Sequence, residues 1–402
     1  MPWKEVLPME ERASFVMEVA KAEQSFARLC RGFGISRKTG YKWWRRFKDG
    51  GLEAMEKRSS RPKKSPLASE VRWRDRLIAL RKRCSWWGAK KLRAKLIEKY
   101  GPEGVPAAST LGAMLGRAGL IRGRRRRKIG PQIERPGFTP AFKTNQVWAA
   151  DFKGWFRTAN GKRCDPLTVS DVATRYLLCC EALSGQSFEQ VRPVFERIFG
   201  EYGLPGCIRV DNGAPFGSRG PAGLSRLSVW WMRLGITVEF IAPGHPEQNG
   251  IHERMHRTLK AEALNCVAYS VRQQQRRFDR WRRHFNIERP HEALGQQPPG
   301  SHYQASATPY HQRAPGKLSY EHGWSVRRVR TNGQIKWQGQ KRFLGEAFVG
   351  QLVGLKPLDP LRHQVYFMNR LLGELHLDDI YGLRPTAYAR KHHRKERTKS
   401  VT

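Results

Sequence analysis

The chain has 402 residues, enough for roughly two to four domains with at least one sizeable core, and 39% of its residues are hydrophobic. Its 75 Lys+Arg against 35 Asp+Glu give a formal net charge of +40, which points to a polyanionic partner, nucleic acid first. No apolar run is long enough to span a bilayer and the opening MPWKEVLPMEERASF lacks a signal-peptide pattern, so a membrane role is set aside and a soluble intracellular protein is expected. The seven cysteines, Cys30, Cys84, Cys164, Cys179, Cys180, Cys207 and Cys266, are scattered, odd in number and free of any C-x-x-C pair. They read as reduced thiols, and no Cys or His cluster has the spacing of a structural zinc site.

The first expected domain covers residues 1–57. In SFARLCRGFGISRKTGYKWWRRF (25–47), Phe26, Leu29, Cys30 and Phe33 recur at helical spacing and define a buried face. Gly34 breaks that helix, Ile35 anchors the turn, and Ser36 is suited to cap a second helix. The result is a helix-turn-helix pattern. Trp44 and Phe47 face inward in the second helix, leaving Arg37, Lys38, Tyr41, Lys42, Arg45 and Arg46 for phosphates and base edges; a generic hairpin with a solvated basic face is the plainer reading.

A second helical domain is expected over 67–122, with helices near 69–84, 87–101 and 106–120. Leu92, Leu96 and Tyr100 form its core stripe, and Lys90, Lys91 and Arg93 lie to the side, where Lys90 and Lys91 are candidate DNA contacts. Residues 123–144 read as a basic linker whose Arg124 and Arg125 track a phosphate backbone. Across 145–297 the periodicity changes. Strands are expected at 145–156, 164–172, 175–183, 206–213 and 237–242, with helices at 187–203 and near 227–235, a helix following 242, and a basic helical stretch at 271–295. That order predicts a mixed sheet flanked by helices, an α/β core. Short alternating segments over 317–385, with Asn332-Gly333 as a hairpin signal, predict a small β-barrel. The basic tail 386–402 is too charged and too poor in apolar residues to fold alone.

Three acids stand out by position. Asp151 lies in the first strand of the mixed domain, Asp211 closes the strand CIRVDNG, and Glu253 sits on the helix after the last strand. Each has an ordinary explanation on its own: a strand-end Asp caps a turn, and a helical Glu makes i,i+4 pairs. Two Asp on adjacent strands and a Glu on a neighbouring helix would instead gather anions at one end of the sheet. Phosphodiester cleavage with two Mg²⁺ ions requires such carboxylates. In the helix, Asn249, Glu253, Arg257 and Lys260 share one face while Ile251, Met255 and Leu259 share another that packs on the sheet. Asp171 is expected to cap the turn between two strands, Trp230 and Trp231 to lie in the core, and His245 and His252 to serve either DNA contact or structure.

VWAADFKG, VDNGAPF and HPEQNGIHERMHRTLK resemble the three acidic blocks of DDE-type bacterial insertion-sequence transposases, whose catalytic core is similar to that of retroviral integrases. The likeness runs along the whole chain in order. It implies N-terminal helix-turn-helix modules, an RNase H-like core and a small C-terminal barrel. It also implies Asp151, Asp211 and Glu253 as a catalytic triad holding two Mg²⁺ ions, for which Mn²⁺ can substitute.

Such a protein would be a nucleoid-associated cytoplasmic enzyme. It would bind double-stranded DNA as a homo-oligomer, cut element ends with water and join the 3′-OH to target DNA, with or without an ATPase partner. Two features depart from the family. The zinc-binding His/Cys module of retroviral integrases has no counterpart, and the interval from Asp211 to Glu253 is 42 positions (253 minus 211), longer than the common spacing. Glu247 fits that spacing better. Glu253 is preferred because Asn249-Gly250-x-x-Glu253-Arg254 followed by Thr258-Leu259-Lys260 matches the family context, whereas Glu247 follows Pro246 ahead of the helix. The Gly/Pro/Ser-rich stretch 217–228 reads as the loop insertion that absorbs the difference. Two rivals are a transcriptional regulator with an inactive core and a nuclease without joining activity.

Overall fold

The computed structural model describes residues 8–55, 71–121, 138–242, 246–311, 316, 318–378 and 382–384. Arg124, Arg125, His245 and the tail 386–402 lie outside them. Two compact units divide at residue 70.

The first unit holds three helices, α1 (Pro8–Lys21), α2 (Phe26–Gly32) and α3 (Arg37–Gly50). Phe15, Val16, Leu29 and Cys30 form its buried centre, with Trp44 and Phe47 packed against it. Gly34 takes a positive φ of 66°, and the turn it makes is closed by Ile35 N–H donating to the Cys30 carbonyl at 2.9 Å. Ser36 then caps α3 by accepting from Thr39 N–H at 3.2 Å, as its sequence position predicts. Helices α2 and α3 approach closely at Gly40, where an added Cβ would stand 2.6 Å from Cys30 Sγ.

The second unit opens with α4 (Val71–Arg83), α5 (Ala89–Tyr100) and α6 (Ala108–Arg117). Trp73, Leu77, Trp87, Leu92, Leu96, Leu111 and Leu115 share their core. Tyr100 is more exposed than its stripe position suggests and meets Trp73 edge-on at 5.9 Å.

Next comes the mixed sheet: β1 (Val147–Phe152), β2 (Phe156–Arg157), β3 (Arg163–Asp171), β4 (Leu177–Leu183), α7 (Phe188–Tyr202), β5 (Cys207–Val210), α8 (Arg226–Arg233), β6 (Thr237–Phe240), α9 (Gly250–Ala263) and α10 (Val271–Arg283). Strand β3 runs antiparallel to β1, β2 and β4, whereas β1, β5 and β6 are parallel neighbours. The parallel strands need crossovers, which α7 and α8 supply. Residues 147–150 of β1 and 207–210 of β5 are buried near the sheet centre, hence their largely apolar runs, in which Arg209 is paired with Glu239.

Strand β4 is an edge, and side-chain amides cover it. Gln275 accepts from Ala182 N–H at 2.7 Å and donates to the Cys180 carbonyl at 3.1 Å. Asn286 accepts from Leu177 N–H at 2.8 Å and donates to the Leu177 carbonyl at 2.9 Å. Unpaired strand groups that would otherwise template another chain are satisfied from the basic helical stretch that follows. That stretch ends earlier as an α-helix than its pattern suggests, and a π-turn over 284–288 presents Asn286.

The C-terminal module is all-β. Strands β7 (Ser325–Arg328), β10 (Leu352–Asp359), β11 (Arg362–Phe367) and β12 (Arg370–His376) form one sheet, and β8 (Gln334–Trp337) pairs β9 (Gln340–Phe343) in another. Among the described residues no ladder closes the two into a barrel. Asn332-Gly333 does form a tight turn, with Gly333 N–H donating to Arg330 at 2.9 Å. The expected hairpin is nevertheless displaced: β7 pairs β10, and the true hairpin turn is Gln338-Gly339, both at positive φ. Trp337, Phe348, Val353, Val365 and Phe367 continue the same buried cluster as Trp148, Phe195, Phe216 and Trp231 of the mixed sheet and its helices.

The stretch 217–228 is no dangling insertion. Leu224 is fully buried, and the turn Pro221–Gly223 lies against β12. No helix among the described residues is long and apolar enough to cross a membrane.

Candidate active site and DNA-contacting faces

Parallel pairing of β1 with β5 sets Ala149 opposite Arg209. Two residues further along each chain segment come Asp151 and Asp211, near enough for the Asp211 charge to act on Asp151. Burial raises the Asp151 carboxyl to about 7, and the nearby Asp211 charge adds to the effect. Burial also raises Asp211, which accepts from Gly213 N–H at 3.2 Å.

Behind Asp151 stand two histidines one helical turn apart on α9, His252 and His256, both buried, with ring centroids 4.7 Å apart. Thr168, the β3 partner of Asp151, meets them: its Oγ1 lies 2.7 Å from His252 Nε2, 2.7 Å from His256 Nε2, and 3.0 Å from the Asp151 carbonyl to which it donates. Ser170 Oγ is 3.3 Å from His252 Nδ1, and His256 Nδ1 is 3.7 Å from Asp151 Oδ2. Burial lowers the two imidazoles to about 3 and about 2, the latter also through His252 and the Lys153 charge, so both are neutral at pH 7. Donor atoms of Asp151, His252 and His256 all lie within 4.8 Å of one another.

Glu253 is next along α9, about 100° around the helix from His252. Its side chain is 60% exposed and lies 3.7 Å from Arg257. The structure thus brings Asp151 and Asp211 together and leaves Glu253 outside the close donor group; the side chain of Glu247 lies outside the described residues. Met255 and Leu259 are buried and Ile251 packs partly, as the apolar face of α9 requires. Asn249 is half-buried, and Arg257 and Lys260 are exposed. Asp171 caps its turn, accepting from Asn145 N–H, Thr174 N–H and the Thr174 hydroxyl at 2.6 to 2.9 Å. Trp231 is fully buried and Trp230 partly so.

On α3, Arg37, Lys38, Lys42 and Arg45 are exposed. Tyr41 is 57% exposed and stacks on Phe26, and Arg46 lies half-buried over the Trp43 ring at 5.0 Å. Lys90 and Lys91 stand on the side of α5 that meets residues 284–292, Lys90 exposed and Lys91 half-buried. Lys90 pairs with Glu292, Lys91 donates to the Pro290 carbonyl, and Trp87 stacks on His284 at 5.3 Å. Burial, with help from the Arg289 charge, lowers Lys91 to about 8.

Sequence reasoning marked His252 for either DNA contact or structure and missed His256 and Thr168. The signal was present: His252 and His256 sit at i,i+4 on the apolar side of α9, and Thr168 interrupts the buried strand β3 with a hydroxyl.

Family models match in chain order. A helix-turn-helix domain covers 11–63, a homeodomain-like domain 39–115, integrase core domains 142–246 and 234–299, and the C-terminal domain of IS481 family transposases 324–378. The chain is 32% identical over 178 residues to the insertion element IS407 uncharacterized 31.7 kDa protein of Burkholderia multivorans, covering 44% of this chain and 62% of that protein. It is 32% identical over 181 residues to the insertion element IS476 uncharacterized 39.2 kDa protein of Xanthomonas euvesicatoria, covering 44% of this chain and 50% of that protein. The chain thus spans about half to three-fifths of these relatives. Among solved structures, the HTLV-2 integrase catalytic core domain in complex with magnesium is similar at 12% identity and a TM-score of 0.33, covering 41% of this chain and all of that one. A simian T-cell lymphotropic virus intasome in complex with PP2A regulatory subunit B56 gamma is similar at 14% identity and 0.36, over 73% of this chain and 97% of that one.

Proposed function

We propose, from the premise that the chain belongs to the insertion-sequence transposases with an integrase-like core, that it binds the ends of an insertion element, cleaves them hydrolytically and joins the 3′-OH ends to target DNA. The observation that carries this reading is the adjacency of Asp151 and Asp211 at the ends of parallel strands, in surroundings that resist their charge. Two half-buried acids near each other fit a divalent cation, which would offset their repulsion, and Glu253 on α9 would complete the set. Bound Mg²⁺ or Mn²⁺ supplies neutralisation of the charge on the scissile phosphate and on the leaving oxygen.

The protein's own groups do the remainder. The sheet and Thr168 hold the Asp151 backbone, and Gly213 N–H holds the Asp211 carboxylate, so both residues are placed before substrate arrives. Asn249, Arg257 and Lys260 grip the DNA backbone beside them. Arg37, Lys38, Tyr41, Lys42, Arg45 and Arg46 of α3 read or anchor the element end, and Arg124 and Arg125 follow its phosphates. Two ends must be brought together, so the working form is a homo-oligomer on DNA.

The test is a pair of assays with Mg²⁺, nicking of uncut element ends and strand transfer from pre-cleaved ones. A labelled end joined to a second duplex is expected from the parent protein, and neither nicking nor joining from Asp151→Asn, with end binding retained. Normal nicking by that variant would remove Asp151 from the mechanism, and binding without cleavage by the parent would leave a DNA-binding regulator.

A further inference from the structure

The hydroxyl of Thr168 has one hydrogen and three close contacts. The Asp151 carbonyl can only accept, so one arrangement satisfies all three: the hydroxyl donates to that carbonyl, and both imidazole Nε2–H groups donate to the hydroxyl oxygen. A neutral imidazole carries a single N–H. With each Nε2 committed to Thr168, Nδ1 is the nitrogen left on each ring to bind an ion. That of His252 accepts from the Ser170 hydroxyl, whereas that of His256 faces a carboxylate oxygen, Asp151 Oδ2, at 3.7 Å.

A bare ring nitrogen and a carboxylate oxygen turned toward each other repel unless a proton or a metal cation lies between them. Two donors each about 2.1 Å from one ion can stand up to about 4.2 Å apart, which accommodates the observed separation. We propose that His256 Nδ1 is a ligand, together with Asp151, of the divalent ion at the candidate active site, making it a mixed nitrogen and oxygen site. The inference rests on the reading of Asp151 as an ion-holding residue and adds to it a nitrogen donor from α9. His252 is a positioning residue: it fixes Thr168, and Thr168 fixes the tautomer that leaves His256 Nδ1 bare.

The chemistry has a consequence for ion choice. Mg²⁺ favours oxygen donors and retains waters, whereas first-row transition ions accept imidazole readily. The site therefore selects Mn²⁺ over Mg²⁺.

The experiment is electron spin-echo envelope modulation of Mn²⁺ bound to the full chain, read alongside Mn²⁺ and Mg²⁺ titrations. The parent is expected to show modulation from a directly bound ¹⁴N nucleus, replaced by the ¹⁵N pattern when histidine is isotopically labelled. His256→Asn is expected to abolish the modulation while Mn²⁺ still binds, about tenfold more weakly, with Mg²⁺ affinity changed much less. Mn²⁺ whose binding requires Asp151 but which shows no nitrogen coupling overturns this inference and leaves the proposed function standing. Nitrogen coupling that persists unchanged in His256→Asn also overturns it. Mn²⁺ binding that is indifferent to Asp151→Asn overturns both readings, because the ion then sits elsewhere.

Discussion

Replacing Asp151 by Asn removes a charge from surroundings that disfavour it, and the effect on stability has a definite sign and pH window. The folded carboxyl titrates at about 7, against about 3.9 in an unfolded chain. Below about pH 4 the group is protonated in both states and contributes nothing. Between about pH 4 and 7 the unfolded chain releases a proton that the folded chain retains, so stability falls by about 1.4 kcal/mol per pH unit and then levels off. The total is up to about 4 kcal/mol, reduced in practice because the side chain is 26% exposed. Asp151→Asn should therefore match the parent near pH 4 and exceed it in stability near pH 8 by as much as that amount. Urea titrations in a chelator, followed by tryptophan fluorescence across this range, measure the gap. Added Mn²⁺ should then stabilise the parent and leave the variant unmoved, since a ligand that binds only the folded state adds stability by mass action. A variant no more stable than the parent near pH 8, or a gap that is constant with pH, would refute the reasoning.

Three further outcomes are expected. Ser36→Ala should destabilise α3 by about 1 kcal/mol through loss of its cap, seen as faster hydrogen exchange at residues 37–41. Lys42→Ala and Arg45→Ala should each lower the slope of log K against log salt for DNA binding by about 0.9, whereas Lys91→Ala, whose ammonium is held by the Pro290 carbonyl, should leave the slope unchanged. Gln275→Ala strips two partners from the β4 edge, and a loss of about 1 to 3 kcal/mol with increased light scattering is expected.

Much of the architecture is legible in the sequence because it is local. The Gly34 turn and the Ser36 cap are written in consecutive residues, and the alternation of buried strands with amphipathic helices announces a mixed sheet from periodicity alone. Asp151 and Asp211 are legible for the same reason: each follows a largely apolar stretch of strand, and parallel strands align their ends. What escapes depends on partners distant in the chain. Lys90 and Lys91 look like any basic helical face, and only the approach of 284–292 gives Lys91 a half-buried place against the Pro290 carbonyl and Lys90 a surface pair with Glu292. Asn332-Gly333 correctly signals a turn, but pairing of β7 with β10 is decided by tertiary contacts some 25 residues away. The histidine pair is hidden by its own sequence context, since the charged Glu253 between them draws attention away from the two rings that face inward.

The buried cluster shared by the mixed sheet and the C-terminal strands has a practical corollary. A polypeptide ended at the proline-rich stretch would cut through an oily interior and leave Phe216, Leu224 and Trp231 without the aromatic and aliphatic neighbours that shield them. Shortened versions meant for biophysical work should therefore retain residues through 378, or replace the lost lid with engineered polar surface.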